Sequence, residues 1–155
     1  MLIRLLAIGN KMPSWIEAGI AEYIKRFPPS CRLEIIEIPA EKRLPDTPKK
    51  KVIDNESKKL LSAIKPGNHV IALEIKGASW STEKLAEQLK SWQAAGRNVD
   101  MLIGGPDGLS TECLQKAETK WSLSPLTLPH PLVRVLVTEQ LYRAISILQN
   151  HPYHR

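Results

Sequence analysis

The sequence predicts a single-domain, three-layer α/β fold with a mostly parallel sheet. Short β-compatible apolar runs alternate, from one end of the chain to the other, with longer segments of helical periodicity. The breaks between them fall at Gly and Pro, as at Gly9-Asn10, Pro28-Pro29 and Pro66-Gly67. A chain of 155 residues, 43% hydrophobic and 25% charged, is long enough and apolar enough for one ordinary core.

Met1 to Ile8 is apolar and stops at Gly9-Asn10, a first strand. Pro13 and Ser14 open a helix to about Lys25, with Trp15, Ile16, Ile20 and Tyr23 among its packing candidates. Leu33 to Ile38 alternates apolar residues with Glu34 and Glu37, a second strand. Ala40 to Lys51 is linker-like, with Lys42, Arg43, Lys49, Lys50 and Lys51 set against Glu41 and Asp46. It reads either as a solvated loop or as a mobile arm that neutralises phosphates. Lys50 to Ile64 carries Val52, Ile53, Leu60 and Leu61 at helical spacing. His69 to Ile75 is a buried strand. Ser81 caps a helix bearing Leu85, Leu89 and Trp92, which Gly96 closes. Val99 to Ile103 is the next strand, Ser110 caps a shorter helix to about Lys120, and Trp121 to Leu123 is the last strand.

The final helix starts with Pro131 in its first turn. Leu132, Val133, Val135, Leu136, Leu141, Ile145 and Leu148 fall all round its wheel. A helix apolar on every side must be covered on every side. A subunit interface would cover it, and a symmetric homodimer is the commonest such arrangement.

The net charge of +6 favours a polyanionic partner such as nucleic acid, although an uninvolved basic surface fits the charge equally well. Cys31 and Cys113 form neither a disulfide framework nor a metal-ligand spacing, so no metal is expected and both read as reduced thiols of a cytoplasmic protein. The opening MLIRLLAIGN is too short for a secretory signal, and no stretch approaches a membrane span.

In parallel α/β sheets ligands bind beyond the carboxyl ends of the strands. Gly104, Gly105 and Gly108 sit there, between a strand and a helix. Glycine permits close backbone approach, so they form either a ligand loop or a plain tight turn. Their spacing is neither the dinucleotide fingerprint nor a Walker loop. Ser122 to Pro131 holds three prolines, a stiff loop that is either a ligand cradle or a structural crossover. Glu139 and Arg143 are four apart, so an ordinary helix ion pair is one reading. In so apolar a helix a polar pair is costly, and a task for it is the other. His130, His151 and His154 lack the partners of a metal site.

GGPDG, SLSPLTLPHPLVRVLVTEQLYRA and NHPYHR, together with the opening LLAIGNKMPSWI, resemble the SPOUT-class methyltransferases along the whole chain. The resemblance implies an enzyme that uses S-adenosyl-L-methionine to methylate N3 of a pseudouridine in 23S ribosomal RNA. It implies a homodimer and a trefoil knot over about residues 70–155, although general connection rules argue against knots. By position, it places the cofactor against Leu73, Gly104, Leu123, Ser124, Pro125, Leu126, Thr127 and Leu128, with Gly105, Gly108 and His130 also lining the pocket. It places Arg143, Tyr153, His154 and Arg155 at the target base, with Glu139 as a further member and the tail completing the partner subunit's site. So small a chain is expected to need a ribosomal particle, 70S or 50S, for recognition. A non-catalytic ribosome-binding module shares the charge but leaves the glycine loop and the HPYHR tail without a role. A nicotinamide oxidoreductase would need the fingerprint and acidic ribose partner that are missing.

Overall fold

A computed structural model describes all residues, 1–155. The chain runs β1 (Leu2–Ile8), α1 (Ser14–Ile24), β2 (Arg32–Ile38), α2 (Lys49–Ala63), β3 (His69–Ser79), α3 (Thr82–Ala94), β4 (Val99–Ile103), α4 (Thr111–Lys116), β5 (Thr119–Ser122) and α5 (His130–Leu148), then a 3₁₀ turn at Pro152–His154. The five strands form one sheet in the order β2-β1-β4-β3-β5, parallel at every pairing.

Both faces of the sheet are covered, as an all-parallel sheet requires. Strand alternation sorts the side chains. Ile3, Leu5, Ala7, Met101 and Ile103 face one cluster with Leu85 and Leu89 of α3 and Val137 and Leu141 of α5. Leu6, Ile8 and Leu102 face another with Leu60 of α2 and Cys113 of α4. At the amino end of the strands, Arg4 and Asp100 stand opposite each other as a buried pair 3.0 Å apart. The Lys65 amide and the Asn68 side chain also donate to Asp100, so that carboxylate is satisfied by donors rather than by water.

Two expected boundaries move. The strand expected at 69–75 continues to Ser79, because Trp121 of β5 pairs with Leu73 and again with Ala78 across a bulge. Gly77 permits it: a Cβ there would lie 2.7 Å from the Lys120 backbone. The helix expected to reach about Lys120 stops at Lys116. The Glu118 amide donates to the Val70 carbonyl at 2.9 Å and draws Thr119 and Lys120 into β5, so sheet pairing overrides helical periodicity. The expectation that α5 is buried on every side is met on one broad face within the chain. Val137, Leu141, Ala144 and Ile145 are buried, while Leu132, Val135, Leu136 and Leu148 are half-buried.

Candidate active site

The carboxyl ends of β3, β4 and β5 open into one cleft of about 360 Å³. Leu73 reaches it from β3. Gly104, Gly105 and Gly108 form one wall. Leu123, Ser124, Leu126, Thr127 and Leu128 form the other, and His130 closes it from the first turn of α5. Loops far apart in sequence thus converge on one cavity. Pro125 is exposed and is not among the lining residues. Glu74, Ile75, Pro106, Asp107 and Val133 line the cleft although sequence reasoning missed them; Pro106 and Asp107 lie inside the GGPDG motif, a signal that was available.

Local chemistry builds each wall. The Gly108 amide donates to the Gly105 carbonyl at 2.9 Å, and Gly108 turns at a φ of +84°, which an L side chain rarely adopts. A Cβ on Gly104 would sit 2.8 Å from the Gly108 carbonyl group, so this position needs glycine. In the opposite wall, the Ser124 hydroxyl accepts from the Leu126 amide at 3.0 Å and the Ser122 hydroxyl donates to the Ser124 carbonyl at 3.3 Å. Short side-chain bonds therefore stiffen a loop that already has few amide donors.

Two buried nitrogens here have no partner, His130 Nδ1 and Arg134 Nε. Arg134 is 1% exposed; its Nη1 donates to Glu37 at 2.7 Å and its Nη2 to the Gly9 and Ile8 carbonyls at 2.7 and 3.1 Å. It thus ties the start of the last helix to the ends of β1 and β2. Burial, together with the positive charges of Arg134 and Arg43, holds the His130 imidazole below its ordinary pKa and hence neutral.

Glu139, Arg143 and Tyr153 form a second cluster. Arg143 Nε donates to Glu139 at 2.8 Å, the Tyr153 hydroxyl donates to the same carboxylate oxygen at 3.1 Å, and Gln140 donates to the other oxygen at 2.7 Å. Arg143 stacks on the Tyr153 ring, 4.8 Å from its centroid. Tyr23, Arg26 and Phe27, which sequence reasoning missed, complete an aromatic and cationic wall around Tyr142 and Tyr153. Burial and the contacts with Tyr23 and Glu139 raise the Tyr153 pKa, so its phenol is a donor rather than a base. His154 Nδ1 faces the His151 carbonyl, which can only accept, so Nδ1 carries a proton. Arg155 is exposed.

The structure does not bring the two clusters together in one chain. His130 and Arg143 are thirteen positions apart on α5, about 20 Å along the helix.

The family profile described as "Predicted SPOUT methyltransferase" matches residues 1–154. The chain belongs to the SPOUT methyltransferase family. Among SPOUT relatives it is 52% identical over 155 residues to Ribosomal RNA large subunit methyltransferase H of Hahella chejuensis, a match that takes in 100% of this chain and 99% of that protein. Solved structures share the fold at much lower identity. A probable methylase family protein from Haemophilus influenzae Rd KW20 superimposes with a TM-score of 0.59 at 15% identity, over 99% of this chain and 70% of that one. The Legionella pneumophila protein Lpg2936, described as a methyltransferase in complex with the bound cofactor SAM, gives 0.51 at 13%, over 93% and 66%. No helix of this SPOUT chain is long and apolar enough to cross a membrane, and no cluster of metal-ligating side chains is present.

Proposed function

We propose that the chain is an S-adenosyl-L-methionine-dependent methyltransferase that acts on N3 of a pseudouridine in 23S ribosomal RNA. It would work in the cytoplasm, as a homodimer, on a 70S or 50S particle. The observation that carries this reading is the 52% identity, end to end, with a relative whose name places it on the ribosomal large subunit. The reading treats residues 1–155 as one SPOUT unit and includes a trefoil knot within about 70–155, so that the two walls of the cleft belong to knotted loops.

The residues present fit the cofactor. Leu73, Leu123, Leu126 and Val133 offer apolar surface to an adenine face, the glycine wall offers backbone amides at close approach, and the unpartnered His130 Nδ1 offers a polar contact. Bound there, S-adenosyl-L-methionine supplies an electrophilic methyl group; the protein's part is position and charge. Arg143 stabilises the negative charge that develops on the base carbonyls as the N3 proton leaves, since its Nη1 is held only by a 3.4 Å bond to the Tyr153 carbonyl. Glu139 already accepts from Arg143, Gln140 and Tyr153, which suits it to orienting Arg143 rather than to taking a proton. That leaves His154 or a water to take the proton.

A second copy of the chain closes the gap of about 20 Å between the clusters, because it can bring Arg143 and the tail of one subunit to the cleft of the other. Trp15, Leu44, Ile75 and Leu126 are the exposed large apolar residues, and two of them, Ile75 and Leu126, line the cleft. That rim and the half-buried side of α5 are surfaces a partner subunit would cover. Of the cations of the 40–51 segment, the exposed Lys42, Lys50 and Lys51 would supply phosphate contacts.

Purified protein is incubated with methyl-labelled S-adenosyl-L-methionine and ribosomes from a strain that lacks the modification. Label in 23S rRNA, placed at N3 of one pseudouridine by digestion and mass spectrometry, is the expected result. Absence of both label and cofactor binding would leave a non-catalytic ribosome-binding module.

A further inference from the structure

The basic 40–51 segment is not free at its centre. Arg43 Nε donates to Asp107 Oδ2 at 3.0 Å, and Nη2 donates to Glu56 Oε2 at 3.2 Å. Nη1 lies 2.9 Å from Glu56 Oε1 and donates to the Glu41 carbonyl at 3.2 Å. Glu56, on α2, is 1% exposed. A carboxylate buried this deeply needs donors in place, and the Glu41 amide adds one at 3.1 Å. A loop, a helix and the glycine turn therefore meet at one guanidinium.

Asp107 is at the tip of that turn. The turn is closed internally from Gly108 to Gly105, but its tip is held from outside through the Asp107 side chain, by Arg43 and more loosely by Lys49 Nζ at 3.5 Å. The backbone also rests on the ion pair: a Cβ on Gly105 would lie 2.9 Å from Glu56 Oε2 and 3.0 Å from Arg43 Nη2. Arg43 does not line the cleft, whereas Asp107 does.

We infer that Arg43 is a positioning residue for the cofactor: it fixes the glycine wall of the cleft from the far side, through Asp107 and the buried Glu56. A backbone cradle binds well only when its amides are held in the bound geometry beforehand. The inference rests on the reading of the cleft as a cofactor site.

Titration calorimetry with S-adenosyl-L-methionine tests it on the full chain, with thermal midpoints measured alongside. Arg43→Gln alone would leave Glu56 buried and unpaired, so the informative variant is Arg43→Gln with Glu56→Gln, which removes both charges. Asp107→Asn is the second variant, because it strands no buried carboxylate. Each is expected to bind the cofactor about tenfold more weakly, with the midpoint moved by only a few degrees. Combining all three changes is expected to add nothing further, since they break the same tether. Wild-type affinity in either variant, or independent losses that multiply when combined, would overturn the role of Arg43. Failure of the wild-type protein itself to bind S-adenosyl-L-methionine would instead overturn the cofactor reading, and this inference with it.

Discussion

The two ends of α5 are built on opposite plans. At its start, the cleft is made of backbone, apolar surface and the His130 ring, whose buried Nδ1 has no partner. At its far end, Glu139, Arg143 and Tyr153 already satisfy one another. A site with open valences is prepared for a ligand that arrives whole. A self-satisfied cluster keeps a cation oriented until a target displaces its weaker contacts. If both serve one reaction, the division of labour is between holding the methyl donor and meeting the base, and it is spread over two subunits.

The largest effect that tests this division is complementation. Gly104→Val places side-chain carbon against the Gly108 carbonyl group and should abolish cofactor binding. Arg143→Ala should retain binding but lose turnover. Mixed after dissociation and reassociation, two such inactive proteins should recover up to about a quarter of wild-type activity, because half of the dimers then hold one intact composite site. No recovery, with mixed dimers demonstrated, would place both clusters in the service of a site within one subunit.

Arg143→Ala alone comes next. Single-turnover rates on ribosomes should fall more than tenfold, about 1.4 kcal/mol of barrier or more, with unchanged cofactor affinity. Arg143→Lys should recover little of the loss, since an ammonium cannot pair with Glu139 and a base carbonyl in one plane. An unchanged rate would remove Arg143 from the chemistry.

How much of this the sequence disclosed depends on range. Capping and punctuation are local, so Ser81 and Ser110 were legible as N-caps, and each hydroxyl accepts the expected amide, from Lys84 and Cys113. The alternation of strands and helices was legible because each buried strand of a parallel sheet is a short apolar run. The bulge in β3 and the early end of α4 were not, because both are set by pairing with β5, which no window along the chain contains. Likewise, GGPDG was visible as a loop, but its anchorage on Arg43 through Asp107 joins residues 64 positions apart. The aromatic wall behind Tyr153 was missed for the same reason, since Tyr23 read only as a packing residue of α1 and Phe27 was not singled out.

A smaller effect concerns the support of the cleft. The Ser110 hydroxyl caps α4 through Cys113, and the Ser110 amide donates to Ser57 of α2 at 3.2 Å, so the exit of the glycine loop is held twice. Ser110→Ala removes the cap and should cost about 1 kcal/mol in denaturant unfolding. It should also weaken cofactor binding, whereas the rate on saturating cofactor should not change. A rate defect without an affinity defect would show that the loop bears on the chemistry and not only on the holding of the donor.

The smallest effect is in acid, and its sign separates the two ends again. His130 has its pKa lowered by burial, with Arg134 and Arg43 adding to the shift and Glu56 opposing it. Between that lowered value and the ordinary 6.5, the unfolded chain binds a proton at this position that the native chain does not, so stability should rise with pH across the interval and fall as pH drops below 6.5. Thermal midpoints followed downward from neutral pH should therefore decline less steeply in His130→Gln than in the wild type. Cofactor affinity should hold across that interval, where the native ring stays neutral, and weaken only below the lowered value, where a protonated ring places a second cation beside Arg134. Arg143, which Glu139 holds above its already high pKa, does not titrate there and should give no matching step. Equal slopes in the variant and the wild type would mean that the His130 ring is solvated in solution and that the polar contact in the cleft lies elsewhere.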